Sequence, residues 1–102
     1  MDREDKFSWH EKKAASNRAK HGISFEEAKG VFRDTFAIEE LDDRKDHGKE
    51  RYIRIGISDG KLLSVVYTER GGKFRLISAR KAEKDEQHRY YSRYTTRQEG
   101  VE

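Results

Sequence analysis

Two dipeptides, Asp59-Gly60 and Gly71-Gly72, punctuate one stretch of alternating apolar residues: ERYIRIGIS, then KLLSVVYTER, then KFRLISAR. Asp-Gly and Gly-Gly tolerate the positive φ angles of I′ and II′ turns, so residues 51–80 are predicted to fold as a three-stranded antiparallel meander. If both loops hold two residues, Ser58 faces Lys61 and Arg70 faces Lys73, and every cross-strand pair is set. One face then carries Ile53, Ile55, Ile57, Leu62, Val66 and Ile77 and reads as the core side. The opposite face carries Tyr52, Arg54, Leu63, Val65, Tyr67, Phe74, Leu76 and Arg80. Arg70 and Arg75 share the first face, near its turn end, where they reach solvent.

The remaining segments supply helices and edges. Phe7 to Trp9 is short and aromatic and reads as an edge strand or lead-in. The run from His10 to His21 is made of good helix formers, ends in cations and is followed by Gly22, a natural C-terminal stop. Its small-residue stripe, Ala15 and Ala19, is expected to pack closely on a flat surface. Ser24 and Glu27 form a capping box, and Phe25, Ala28 and Phe32 recur on one face, which predicts a second helix over about 25–33. Residues 35–41 read as a strand and 42–50 as a polar loop. A last helix is expected from Ala82 to about Tyr94, with Glu83, Asp85 and Glu86 at its start and Arg89 and Arg93 towards its end, followed by a frayed tail. The class is therefore α+β, in one domain of 102 residues with its ordered core over about 7–94.

Apolar residues make up 32% of the chain against 42% charged, so the core must be modest. Cysteine is absent, no apolar run approaches a membrane span, and the N-terminus lacks a signal-peptide core. The expected location is the cytoplasm. Charge is unevenly placed: residues 39–46 hold five acids and two bases, whereas 70–97 hold nine bases and three acids. Such a local basic field gathers polyanions.

A site in this chain would be built from guanidinium, ammonium, phenol and imidazole, the groups that handle phosphate. Arginines among tyrosines on a sheet suit RNA, because guanidinium binds phosphate oxygens bidentately and an unstacked base lies on a ring. Exposed arginines equally serve solubility and edge protection. His10, His47 and His88 show no ligand spacing, so neither metal nor cofactor is expected. Tyr90, Tyr91 and Tyr94 have the spacing of helix packing, and Trp9 that of a core anchor.

Trp9, the helix ending in Lys20-His21-Gly22, SFEEA at 24–28 with Phe32, IRIG at 53–56, VVYTERGG at 65–72 and LISARKA at 76–82 together resemble the BrnT family of toxins, over about residues 7–93. The resemblance implies a RelE-like fold, with helices packed on one side of an antiparallel sheet, and an RNA-cleaving toxin of a type II toxin–antitoxin pair. It implies a BrnA-like antitoxin as partner, with promoter DNA bound through that antitoxin. By position, it assigns Lys20, His21, Arg70 and Arg80 to catalysis. Glu86 and Arg89 stand where the family's last helix usually carries an acid and a base.

Metal-free RNA cleavage uses the substrate's 2′-OH as nucleophile and needs a proton acceptor, positive charge on the transition state and a proton for the 5′-oxygen. On this reading Arg70 and Arg80 share one phosphate, Lys20 or His21 moves the proton, and Arg54, Tyr67, Arg75 and Tyr91 bind substrate. A noncatalytic basic module that docks an acidic partner or nucleic acid is the alternative.

Overall fold

Both dipeptide turns form as two-residue loops with positive φ at each central residue: 54° and 77° at Asp59-Gly60, 59° and 79° at Gly71-Gly72. Ser58 pairs with Lys61 and Arg70 with Lys73, as the turn chemistry requires. The computed structural model describes residues 6–42 and 50–99, with side chains described as far as Arg93. Residues 43–49, and with them His47 and most of the expected polar loop, lie outside the described residues, as do 1–5 and 100–102.

The three hairpin strands, β3 (Arg51–Ser58), β4 (Lys61–Arg70) and β5 (Lys73–Lys81), form the centre of a five-stranded sheet. Its edges are β1 (Phe7–Ser8) and β2 (Ile38–Asp42), in the order β1-β5-β4-β3-β2. Only the β1–β5 pairing is parallel, with Phe7 opposite Phe74 and Ser8 opposite Arg75. β2 starts three residues later than the predicted strand. Asp34 is the cause: its Oδ1 accepts the Phe36 N–H (2.9 Å) and its carbonyl accepts the Ala37 N–H (3.1 Å), which holds residues 34–37 in a turn.

The register between β4 and β5 changes partway. Thr68 faces Arg75 and Tyr67 faces Leu76, but Val66 faces Ser78, so Ile77 is an extra residue in β5. Beyond this β-bulge every β5 side chain lies on the face opposite to the simple alternation. Arg80 therefore sits across from Ser64, on the face of Arg70 and Arg75, and Ala79 takes the other side. The predicted placement of Arg80 beside Tyr52 and Arg54 is overturned.

The expected core face is also corrected. The larger core lies on the side of Leu63, Val65, Tyr67, Leu76 and Ala79, under Ile23, Phe25, Ala28 and Val31. Each large aliphatic side chain buried there contributes about 2 kcal/mol. Phe7, Trp9, Phe32, Tyr52 and Phe74 pack around it, with Trp9 edge-on to Phe25 at 5.7 Å. The face predicted as core holds the smaller cluster, Ile55, Ala82 and Tyr90 with Phe36, Ile38, Ile53 and Leu62. Alternation identifies two faces but not which one attracts the helices, and here both carry apolar bodies.

α1 (Glu11–His21) lies along β5. His10 caps it, with Nδ1 accepting the Lys12 N–H at 3.2 Å, and Gly22 closes it in the left-handed conformation. Ala15 and Ala19 prove exposed, and Asn17 is the residue buried against the sheet. Its Oδ1 accepts the Ala79 N–H (3.0 Å) while its Nδ2 donates to the carbonyls of Ala79 (2.8 Å) and Ile23 (3.0 Å). The amide completes the backbone pairing of β5 where β1 has ended. The capping box opens α2 (Phe25–Ala28), with Ser24 Oγ accepting the Glu27 N–H at 3.0 Å. The chain then tightens into a 3₁₀ helix, Lys29–Arg33, where one continuous helix was predicted. Gly30 explains the close approach: a Cβ there would meet Ser58 Oγ at 2.1 Å, and that hydroxyl donates to the Glu27 carbonyl at 2.5 Å.

α3 (Lys84–Glu99) begins two residues after its predicted start and continues through the segment expected to fray. Glu86 Oε1 accepts the Glu83 N–H at 2.8 Å, the reciprocal half of a capping box. The Tyr90 hydroxyl donates to Asp34 Oδ2 at 2.6 Å, and that oxygen also accepts the Ile57 N–H at 2.8 Å. Arg89 pairs with Glu40. These contacts seat α3 over one end of the Arg70 face and leave the other end open.

Candidate functional site

The open end of that face is a cleft of about 390 Å³ lined by His10, Lys13, Arg51, Thr68, Arg70, Arg75, Leu76 and Ile77. Alternation along β3 and β4 puts Arg51, Thr68 and Arg70 on one side of the sheet, and the Thr68–Arg75 pairing adds β5. The parallel strand supplies the remaining wall: Ser8 opposite Arg75 delivers His10 and the first turn of α1 beside the same strand. The bulge at Ile77 lies on the cleft wall.

Among the described residues, five of the eight that line the cleft are basic types and none is acidic. Among the described residues no carboxylate pairs with Lys13, Arg51, Arg70 or Arg75, so this concentrated charge is left for an anion. Thr68 is already engaged, its hydroxyl donating to the Glu50 carbonyl at 2.6 Å. His10, with Nδ1 occupied by the Lys12 N–H, has Nε2 as its remaining ring nitrogen.

The residues singled out from sequence divide into three groups. Arg70 and Arg75 meet in the cleft. Lys20 and His21 lie in the last turn of α1, about 16 Å from the His10 end by helix rise, and do not line it. Arg80 stands seven residues along β5 from Lys73, the partner of Arg70, or about 23 Å. Arg70 and Arg80 therefore do not share one phosphate.

Arg80 is instead committed to α3: its two terminal nitrogens bind the two carboxylate oxygens of Glu86 at 2.9 and 3.0 Å. Glu86 is 6% exposed. Burial by itself would push its carboxyl up, but hydrogen bonds from Arg80 and the Glu83 N–H, with the charges of Arg80 and Arg89, bring it below its ordinary value. Arg54 lies on the helix-covered face. Its Nε donates to the Val31 carbonyl (3.3 Å), a terminal nitrogen binds Glu39 (2.7 Å), and the guanidinium sits 5.4 Å from the Phe32 ring centre.

Tyr67 is 2% exposed, in the large core, and its burial first, then the Glu39 carboxylate, push its phenol well above the usual range. It cannot stack a base. Tyr91 is exposed on α3, edge-on to Tyr90 at 5.1 Å, outside the cleft. Of the cleft residues that the motifs did not mark, Arg51 and Thr68 follow from the hairpin register, since they share a face with Arg70. His10 and Lys13 carry no such signal, because only the β1–β5 pairing brings them there.

A sequence model of the BrnT family, described as the ribonuclease toxin of type II toxin–antitoxin systems, matches residues 9–86. The chain belongs to the BrnT family. No curated protein matches it. The whole cleft, from His10 to Ile77, falls within the BrnT match, as do Arg80 and Glu86, while most of α3 lies beyond it. Membership makes the activity that of a ribonuclease toxin and implies an antitoxin as partner. No helix among the described residues is long and apolar enough to cross a membrane.

Proposed function

We propose that this chain is a RelE-like endoribonuclease toxin that cuts RNA by metal-independent attack of the 2′-OH, with the scissile phosphate bound in the cleft of His10, Lys13, Arg51, Arg70 and Arg75. The observation that carries the reading is the convergence of basic side chains, with no carboxylate among the described residues of the cleft. The transition state carries more negative charge on phosphorus oxygens than the substrate does, so guanidinium groups fixed by three adjacent strands favour it over the ground state. Arg70 and Arg75 supply most of that charge. His10 is the proton-transfer group in place of His21, because His21 stands at the far end of α1. With Nδ1 accepting the Lys12 N–H the neutral ring carries its proton on Nε2, so Nε2 gives that proton to the departing 5′-oxygen only as Nδ1 releases the cap and takes up a proton itself. Lys20 and His21 extend the basic surface towards Arg80 and contact RNA further along. The neutralising partner is a BrnA-like antitoxin, with promoter DNA bound through it.

The test is cleavage of RNA by the purified chain in EDTA. The Arg70→Ala/Arg75→Ala protein, with an unchanged melting temperature, is expected to lose at least about 100-fold in rate, the scale of removing a transition-state charge contact. Undiminished cleavage by that folded protein would place the site elsewhere. Activity that disappears in EDTA and returns with a divalent cation would refute the metal-free mechanism.

A further inference from the structure

We infer that the cleft holds RNA by its sugar–phosphate backbone and leaves the bases unread, so that the chain binds RNA with little regard to base identity. This deepens the reading above and rests on it. Sequence-specific recognition of RNA splays bases onto aromatic rings and matches their edges with side chains that both donate and accept. The cleft is poor in both. Lys13, Arg51, Arg70 and Arg75 offer donors alone, and Leu76 and Ile77 are aliphatic. Thr68 has given its proton to the Glu50 carbonyl. No Asn, Gln, Asp or Glu is among the described lining residues, and the single ring among them, His10, has one nitrogen occupied by the helix it caps.

The aromatic residues whose side chains are described are used elsewhere. Phe7, Phe32, Tyr67 and Phe74 form one connected set, with ring centres 4.8 to 5.7 Å apart, on the helix-covered face. Tyr52 leans on Tyr67 at 5.4 Å and donates its hydroxyl to Glu50. Trp9 packs on Phe25. Tyr91 is the one exposed aromatic among the residues whose side chains are described, and it stands on α3, away from the cleft. What the cleft presents to RNA is charge, and charge meets phosphate at every nucleotide alike.

The experiment measures fluorescence anisotropy of 2′-O-methyl oligonucleotides of about 12 nucleotides, long enough to cover a single-strand groove and blocked against 2′-OH attack. Oligo-U, oligo-A, oligo-C and a mixed sequence containing G are compared from low to moderate salt. Dissociation constants within about threefold of one another are expected, with a common log–log salt slope near −2 to −3 for three to four phosphates contacted. Arg75→Ala should weaken all four alike and reduce the slope by about 0.7. A tenfold or greater preference for one base would overturn the inference; a preference for G in particular would mean that an arginine reads O6 and N7. Failure of all four to bind would instead overturn the assignment of the cleft to RNA, so the two failures are told apart.

Discussion

His10 shows how one residue acquires two roles from its position. As N-cap it accepts the Lys12 N–H, and as the second residue after β1 it stands in the cleft beside Arg75. The two roles separate by mutation. Asn is a good N-cap, so His10→Asn keeps the helix start, whereas Ala there would cost about 1 kcal/mol of stability. His10→Asn should leave the melting temperature near that of the parent and lower the cleavage step by about 10²–10⁴-fold. His21→Ala should leave the cleavage step intact. The opposite result, a normal rate in His10→Asn and a lost one in His21→Ala, would return the proton transfer to the end of α1 that the family resemblance points to.

Among the elements, α3 depends on few contacts, and one is the Arg80–Glu86 pair between strand end and first helical turn. Arg80→Ala would leave a nearly buried carboxylate without its partner and is expected to destabilise the fold by about 3 kcal/mol, partly recovered in Arg80→Ala/Glu86→Gln, which removes the stranded charge. Urea unfolding measures both; equal stability of Arg80→Ala and the parent would show that the pair holds nothing. Loss of toxicity in Arg80→Ala alone therefore does not identify a catalytic group. Glu86 has a folded pKa below its unfolded value of 4.5, so its contribution is fully present above that pH and fades as acid carries the solution through the folded pKa. Stability of the parent should fall below about pH 4.5 more steeply than that of Glu86→Gln. The sequence showed both hairpin turns, the Gly22 stop of α1, the Ser24 capping box and the existence of α3, since each rests on local chemistry. It did not show the bulge: nothing in KFRLISAR marks Ile77 as an extra residue, so Arg80 was read onto the wrong face. Nor did it show the cleft's second wall, which depends on pairing between residues 8 and 75. Arg70 and Arg75 were legible because they lie before the bulge.

At the scale of the molecule, the large core and the aromatic set occupy one face, and the other is divided between α3 and exposed cations. An antitoxin that blocks RNA must replace water around several guanidinium groups, and carboxylates do so best. Association of toxin and antitoxin is expected to slow as salt rises and to slow further in Arg70→Ala/Arg75→Ala. A stopped-flow association rate indifferent to both would place the antitoxin on another surface. The parallel strand β1 has a consequence for the order in which a ribosome makes this protein. β1 and α1 emerge before β5, yet Phe7 has no strand partner until Phe74 appears, and Asn17 must wait for Ala79. Such pairings between distant parts of the chain form last. A nascent or prematurely terminated polypeptide ending anywhere before β5 lacks Arg75 and the surface on which His10 docks, so it cannot assemble the cleft. With cleavage placed in this cleft as proposed, the toxin is harmless in the cell that makes it until β5 has been translated.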